Sequence, residues 1–160
     1  MGYAQFPYFC AANTYGVVIR NDAFGSSGTA NRDRTLTHDL GHCFGLFHTF
    51  QDGCHSDDCG DNAYYFFDTP PVFEPQWSCN NSQNTCTQIP TNDTYGIDAF
   101  DQFENYMSYS PCQYMFSEDQ KAIVHGNFSG IAWMQDLISP ANATATGVNQ
   151  LDVLCKAEFT

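Results

Sequence analysis

Eleven consecutive residues constrain this chain more than any other feature: His38 to His48 read H-D-L-G-H-C-F-G-L-F-H. His38 and His42 stand four apart, so a helix places both imidazoles on one face, a single turn apart. From there both can reach one metal ion at about 2.0–2.1 Å. Gly45 is a natural stop for such a helix, because a left-handed residue costs glycine little. The turn it permits swings His48 back as a third ligand. Three protein nitrogens leave a fourth tetrahedral position for water, which marks a catalytic zinc site rather than a closed structural one. Zinc of that kind brings the pKa of water toward about 7 and polarises a carbonyl oxygen. A carboxylate beside the first ligand is then needed to accept the proton, and Asp39 occupies that place. Two histidines four apart are also common on helix surfaces; Gly45 and His48 are what set this pair apart. His55 and His125 have no such companions and read as ordinary polar residues.

The flanking sequence supplies the elements that would hold this segment. Tyr15 to Arg20 (Y-G-V-V-I-R) is a short β-branched run that predicts a buried strand, and Asn21 to Asn31 reads as a loop. The metal-binding helix is expected to begin near Asp33 to Thr35, either of which can cap it. Leu36, Leu40, Cys43, Phe44 and Phe47 recur at roughly helical spacing. From Gln51 to Phe100 the chain is irregular and carries four cysteines, so disulfides or calcium must order it. Ser117-Glu118-Asp119-Gln120 matches a capping box and predicts a second helix. Beyond Ser139 the composition is that of a linker.

Composition narrows the function classes. With 160 residues the chain suits one domain, and a hydrophobic fraction of 42% argues against disorder. A formal net charge of −13 and a pI near 4.2 repel phosphate backbones and anionic lipids, which disfavours nucleic-acid and membrane-surface roles. No apolar run reaches the roughly 20 residues of a membrane span. Eight cysteines in a chain with five Lys and Arg point to an oxidising, extracellular compartment. Sequons at Asn80, Asn92, Asn127 and Asn142 add weakly to this. The N-terminus lacks the basic and apolar regions of a signal peptide, and Phe6 stands where a myristoylation signal needs Ser or Thr. A secreted piece of a longer multidomain chain is therefore expected.

A second motif, N-Y-M-S-Y at 105–109, completes the pattern. With the histidine segment it resembles the metzincin signature H-E-x-x-H-x-x-G-x-x-H and its Met-turn, with Asp in place of Glu. Within that clan the chain is most similar to the pappalysins. The likeness rests on G-Y-A-Q-F-P at 2–7, G-V-V-I at 16–19, H-T-F at 48–50, D-T-P at 68–70, N-Y-M at 105–107 and Cys112, and it spans Gly2 to Phe128. The resemblance implies an α+β, metzincin-like (zincin) catalytic domain with a partly missing N-terminal sheet and a loop-rich, disulfide-bonded C-terminal half. It implies a secreted zinc endopeptidase that hydrolyses internal bonds of protein or peptide substrates. His38, His42 and His48 would bind zinc, Met107 would floor the site, and Asp39 would act as general base. Tyr109 would stabilise the oxyanion.

The resemblance also implies the disulfides Cys54–Cys86 and Cys79–Cys112, where sequence alone allows three pairings of these four. Each would close a loop of roughly 30 residues, worth about 3–4 kcal/mol on the chain-entropy view. Cys10, Cys43, Cys59 and Cys155 are extra; Cys10 and Cys43 either pair or leave a buried free thiol. Relatives hold calcium in the loop after the zinc helix, which makes Asp57, Asp58, Asp61, Asp68 and Thr69 candidate ligands. A solvated acidic loop is the competing reading.

Three departures qualify the expectation. Asp39 is one methylene shorter than glutamate, which predicts a well-built zinc site with reduced turnover. Only 37 residues precede His38, room for about two strands, so the expected peptidase domain is 1–138 and N-terminally truncated, with 139–160 a linker leading to a further module. Relatives that cut beside basic residues carry acidic residues after the Met-turn, whereas Ser108, Ser110 and Pro111 stand here. The alternative function is an inactive or weak pseudopeptidase that binds peptides. An adhesion domain with coincidental histidines, a third possibility, predicts no zinc.

Overall fold

The computed structural model describes residues 2–10, 13–23, 34–54, 68–87 and 98–148. Strands β1 (Gly2–Ala4) and β2 (Val17–Ile19) pair antiparallel, with Tyr3 opposite Val18. The β-branched run does form a strand, but it is not buried. Val18 is 53% exposed and Tyr3 62%, while Val17 and Ile19 on the other face are half-buried. The reason is coverage: helix α1 (Thr35–Cys43) packs against both strands, and an antiparallel ribbon with one layer on it leaves its second face to solvent.

Helix α1 starts without a side-chain cap. Arg34 takes the N-cap position, Thr35 is already helical, and Asp33 lies outside the described residues. Its C-terminus is fully built. The Leu46 amide donates to Gly41 O and the Gly45 amide to His42 O, both at 2.9 Å, which is the Schellman pattern. Gly45 has φ 96°, and a Cβ there would collide with Asn127 Nδ2. Leu46 is thereby driven inward, where it meets Met107 and the half-buried Ile123 and Val124.

Ile123 and Val124 belong to α2 (Glu118–Gly130), which begins with the expected reciprocal cap. Ser117 Oγ accepts from the Gln120 amide, and the Gln120 side chain accepts from the Ser117 amide at 2.9 Å. Helices α3 (Ala132–Leu137) and α4 (Pro140–Thr146) follow. The segment read as linker is thus helical over Pro140–Thr146. Ser139 caps it by accepting from Asn142, proline opens its first turn, and Gly147 at φ 74° closes it. Those start and stop signals outweigh the loop-like composition. Trp133 of α3 packs edge-on against Tyr15 at 4.3 Å, and the Tyr15 hydroxyl donates to Cys43 O at the end of α1.

Two interleaved disulfides tie the irregular middle of the chain. Of the three pairings open to four cysteines, the structure takes Cys54–Cys86 and Cys79–Cys112. Cys10 and Cys43 are unpaired, and Cys59 and Cys155 lie outside the described residues. Buried Asp101 braces the same region by accepting from the Thr85 amide at 3.0 Å and from its hydroxyl. Among the sequons, Asn80 is exposed, whereas Asn127 is buried and donates its amide to Phe44 O at 2.7 Å. The fold therefore offers no free amide for a glycan at Asn127.

Candidate metal centre and active-site cleft

Helix α1 sets His38 and His42 one turn apart, and the turn at Gly45 returns His48 to them. Nε2 of His42 lies 3.1 Å from Nε2 of both His38 and His48, and those two lie 3.2 Å apart. Among the described residues this is the one group of three or more His, Cys, Asp or Glu side chains whose ligand atoms fall within 4.8 Å of each other. The outer nitrogens are spoken for: His38 Nδ1 bonds Tyr106 O and His42 Nδ1 bonds Leu46 O, both at 2.7 Å. A neutral imidazole that donates from Nδ1 presents a bare lone pair at Nε2, which is the form a metal ligand needs.

Electrostatics favour the same state. Burial lowers the pKa of all three rings. For His42 the value falls to about 4, through burial first and the neighbouring His38 second. For His48 it falls to about 3, through burial and then the other two rings. Lone pairs converging this closely repel one another unless a cation lies between them. A tetrahedral zinc with bonds of about 2.0–2.1 Å separates its nitrogens by about 3.3–3.4 Å, so the observed spacing fits that ion closely.

Asp39 is 5% exposed, and its Oδ2 has no hydrogen-bond partner. Burial raises its pKa, opposed by His42. Gly2 of β1 lies directly over it: a Cβ on Gly2 would collide with Asp39 Oδ2. Tyr109 stands across from the histidines, with ring centroids 4.9 Å from His48 and 5.4 Å from His38. Its phenol is pushed up, by burial first and by the Asp39 carboxylate second. Phe50 stacks on His48 at 4.6 Å, and Phe6 lies 5.1 Å from His42.

Met107 is fully buried beneath α1, and its sulfur fills the space a Cβ on Gly41 would need. Its turn is held by buried polar side chains. Asn105 Oδ1 accepts from the Met107 amide at 2.9 Å and from Gln120 Nε2 at 3.0 Å, while Asn105 Nδ2 donates to Gln120 Oε1 at 3.0 Å. Gln113 Nε2 donates to Tyr106 O, the carbonyl that also holds His38. Asn105 and Gln120 each sat inside a recognised motif, but nothing in sequence tells that they meet.

Of the candidate calcium ligands, only Asp68 and Thr69 are among the described residues. Asp57, Asp58 and Asp61 lie outside the described residues. Asp68 accepts the Asp119 amide at the start of α2 at 2.9 Å, and Thr69 is buried with its hydroxyl toward Asp68.

The sequence model of the family described as Pregnancy-associated plasma protein-A matches residues 1–128. An extracellular metalloprotease of Colletotrichum graminicola is 34% identical over 134 residues, covering 78% of this chain and 44% of that protein. Extracellular metalloprotease 1 of Coccidioides posadasii is 33% identical over 129 residues, covering 75% and 42%. The chain thus spans less than half the length of these relatives. Among solved structures, Tannerella forsythia mature mirolysin with a cleaved peptide superposes with TM-score 0.58 at 29% identity, over 87% of this chain and 54% of that one. Promirolysin of the same organism gives TM-score 0.62 at 30% identity, over 86% and 45%. The α+β fold is that of a metzincin.

Proposed function

The chain belongs to the Pregnancy-associated plasma protein-A peptidase family, the pappalysins, and on that premise we propose that it is a secreted zinc endopeptidase acting on proteins or peptides. The observation that carries the proposal is the convergence of three Nε2 atoms at 3.1–3.2 Å with an unpartnered buried carboxylate oxygen beside them. Secretion is supported by the extracellular naming of the relatives and by two disulfides.

His38, His42 and His48 would hold the zinc. When bound, zinc supplies a Lewis acid that acidifies water and polarises a peptide carbonyl. Asp39 takes the proton from the attacking water: burial raises its pKa, which makes the carboxylate a stronger base, and its Oδ2 has no other partner. The same carboxyl then returns the proton to the leaving amine. Tyr109 keeps its proton at neutral pH, because its pKa is raised, and donates toward the oxygen on which charge develops. The carbonyls of Tyr106 and Leu46 hold two imidazoles in the tautomer ligation requires.

The alternative is a pseudopeptidase, and the shorter reach of Asp39 favours it. Metal analysis together with cleavage of a quenched peptide library, with and without chelator, separates the two. One zinc per chain and chelator-sensitive cleavage is the expected result. One zinc without cleavage selects the pseudopeptidase, and no zinc overturns both.

A further inference from the structure

A cleft of about 430 Å³ opens directly beside His38 and Asp39. That is the size of a cavity which accepts a sizeable ligand group. Trp77 and Tyr109 form one wall, with ring centroids 5.2 Å apart. Ser110, Pro111 and Gln113 also line the cleft, with Thr35 from the first turn of α1. Trp77 is 73% exposed and Tyr109 38%, so two large rings stand open to solvent at the mouth of the site.

The Gln113 amide and the Ser110 hydroxyl in the lining are already spent on the protein, while the Asp39 carboxylate is kept for the proton transfer. Gln113 Nε2 donates to Tyr106 O at 3.0 Å and also to Ser108 O, and the Ser110 hydroxyl donates to Phe103 O. Among the described lining residues there is no Lys or Arg, and Asp39 is the one carboxylate. What the walls offer an incoming side chain is therefore ring faces and apolar edges.

We infer, on the footing of the peptidase reading above, that this cleft receives the side chain next to the scissile bond and selects a large uncharged one, aromatic or aliphatic, with Trp77 as its platform. Charge explains the selection from both sides. An acidic side chain would face the Asp39 carboxylate. A Lys or Arg finds no carboxylate in the lining other than Asp39, which the proton transfer needs, so its charge goes unpaired there. Nothing in the motifs assigns Trp77; it sits in the irregular stretch that the Cys79–Cys112 bridge ties to the 110–113 wall.

The test uses the zinc-loaded full chain and a peptide library, with cut sites read by mass spectrometry. Bonds flanked by Phe, Tyr, Leu or Met are expected to be cut about tenfold or more over those flanked by Lys or Arg. Trp77→Ala should raise KM for a Phe peptide with kcat little changed. Thr35→Asp adds a carboxylate to the cleft wall at a helix position where an acid is favourable, and should move selection toward Arg by about tenfold or more. A second readout needs no turnover: fluorescence of Trp77 in a Trp133→Phe background, titrated with Phe and Arg peptides on chelator-treated chain. Chelator-sensitive cutting beside Lys or Arg, or cutting without selection, overturns the cleft assignment and leaves the peptidase reading standing. A fluorescence change with the Phe peptide but no cleavage does the reverse. Neither cleavage nor a fluorescence change overturns both.

Discussion

In the proposed peptidase, the reach of Asp39 would set the rate. General-base catalysis is typically worth about 10²–10⁴-fold and depends on hydrogen-bond reach to the proton. Asp39 reaches less far than a glutamate, and Gly2 packs so closely on it that a Cβ there would strike Oδ2. Asp39→Glu is accordingly expected to raise kcat about tenfold or more at unchanged zinc content, and Asp39→Asn to abolish turnover while zinc stays bound. Equal kcat for the parent and Asp39→Glu, measured on one quenched peptide, would remove reach as the limiting factor. Metal content separates this from a folding defect, because His38 and His42 are held in place through the carbonyls of Tyr106 and Leu46 rather than through Asp39.

At the scale of elements, the site is a helix end set on a turn, and the turn is anchored to a second helix. Asn105 and Gln120 exchange two hydrogen bonds of 3.0 Å while fully buried, and Asn105 also holds the Met107 amide. Removing one partner strands the other in the dark of the core, at about 1–3 kcal/mol. Asn105→Ala and Gln120→Ala should each lower the denaturant midpoint by that order, and the double variant should lose less than the sum. Strict additivity would mean that the pair does not couple the turn to α2. This contact also marks the limit of what was legible in the sequence. The glycine stop at Gly45 and the cap at Ser117 follow rules that span six residues or fewer, so both could be read. The exposure of Val18 depends on whether a second layer covers the ribbon, and the meeting of Asn105 with Gln120 depends on how α2 docks. Neither is a local property. The helix at Pro140–Thr146 was legible in its cap and its glycine, but at seven residues among Pro, Asn, Thr and Gly it reads as a linker. Trp77 carries no periodic or motif signal at all.

At the scale of the whole molecule, acid and metal act on one set of nitrogens, and the sign of the effect can be worked out. His42 has its pKa lowered to about 4 in the fold, against an ordinary value of 6.5 once unfolded. Between those values the unfolded chain binds a proton that the folded chain does not. The metal-free fold is therefore at full stability above 6.5 with respect to this group, and loses stability as pH falls from 6.5 toward 4. His48, lowered to about 3, extends the loss further down. The background charge pushes the other way: a chain at −13 relieves self-repulsion as its carboxylates take up protons, which favours the compact state. A fall in Tm of the chelator-treated chain on going from about pH 7.5 to about pH 5 thus runs against that trend and reports the buried imidazoles. Zinc binds the folded state through the same unprotonated nitrogens, so it should raise Tm at the upper pH and lose that advantage as protons compete for the ligands. Thermal melts at several pH values, with zinc and with chelator, should give two curves that converge toward acid. Parallel curves would mean that the bound metal does not use these imidazoles, and the proposed centre would have to be abandoned.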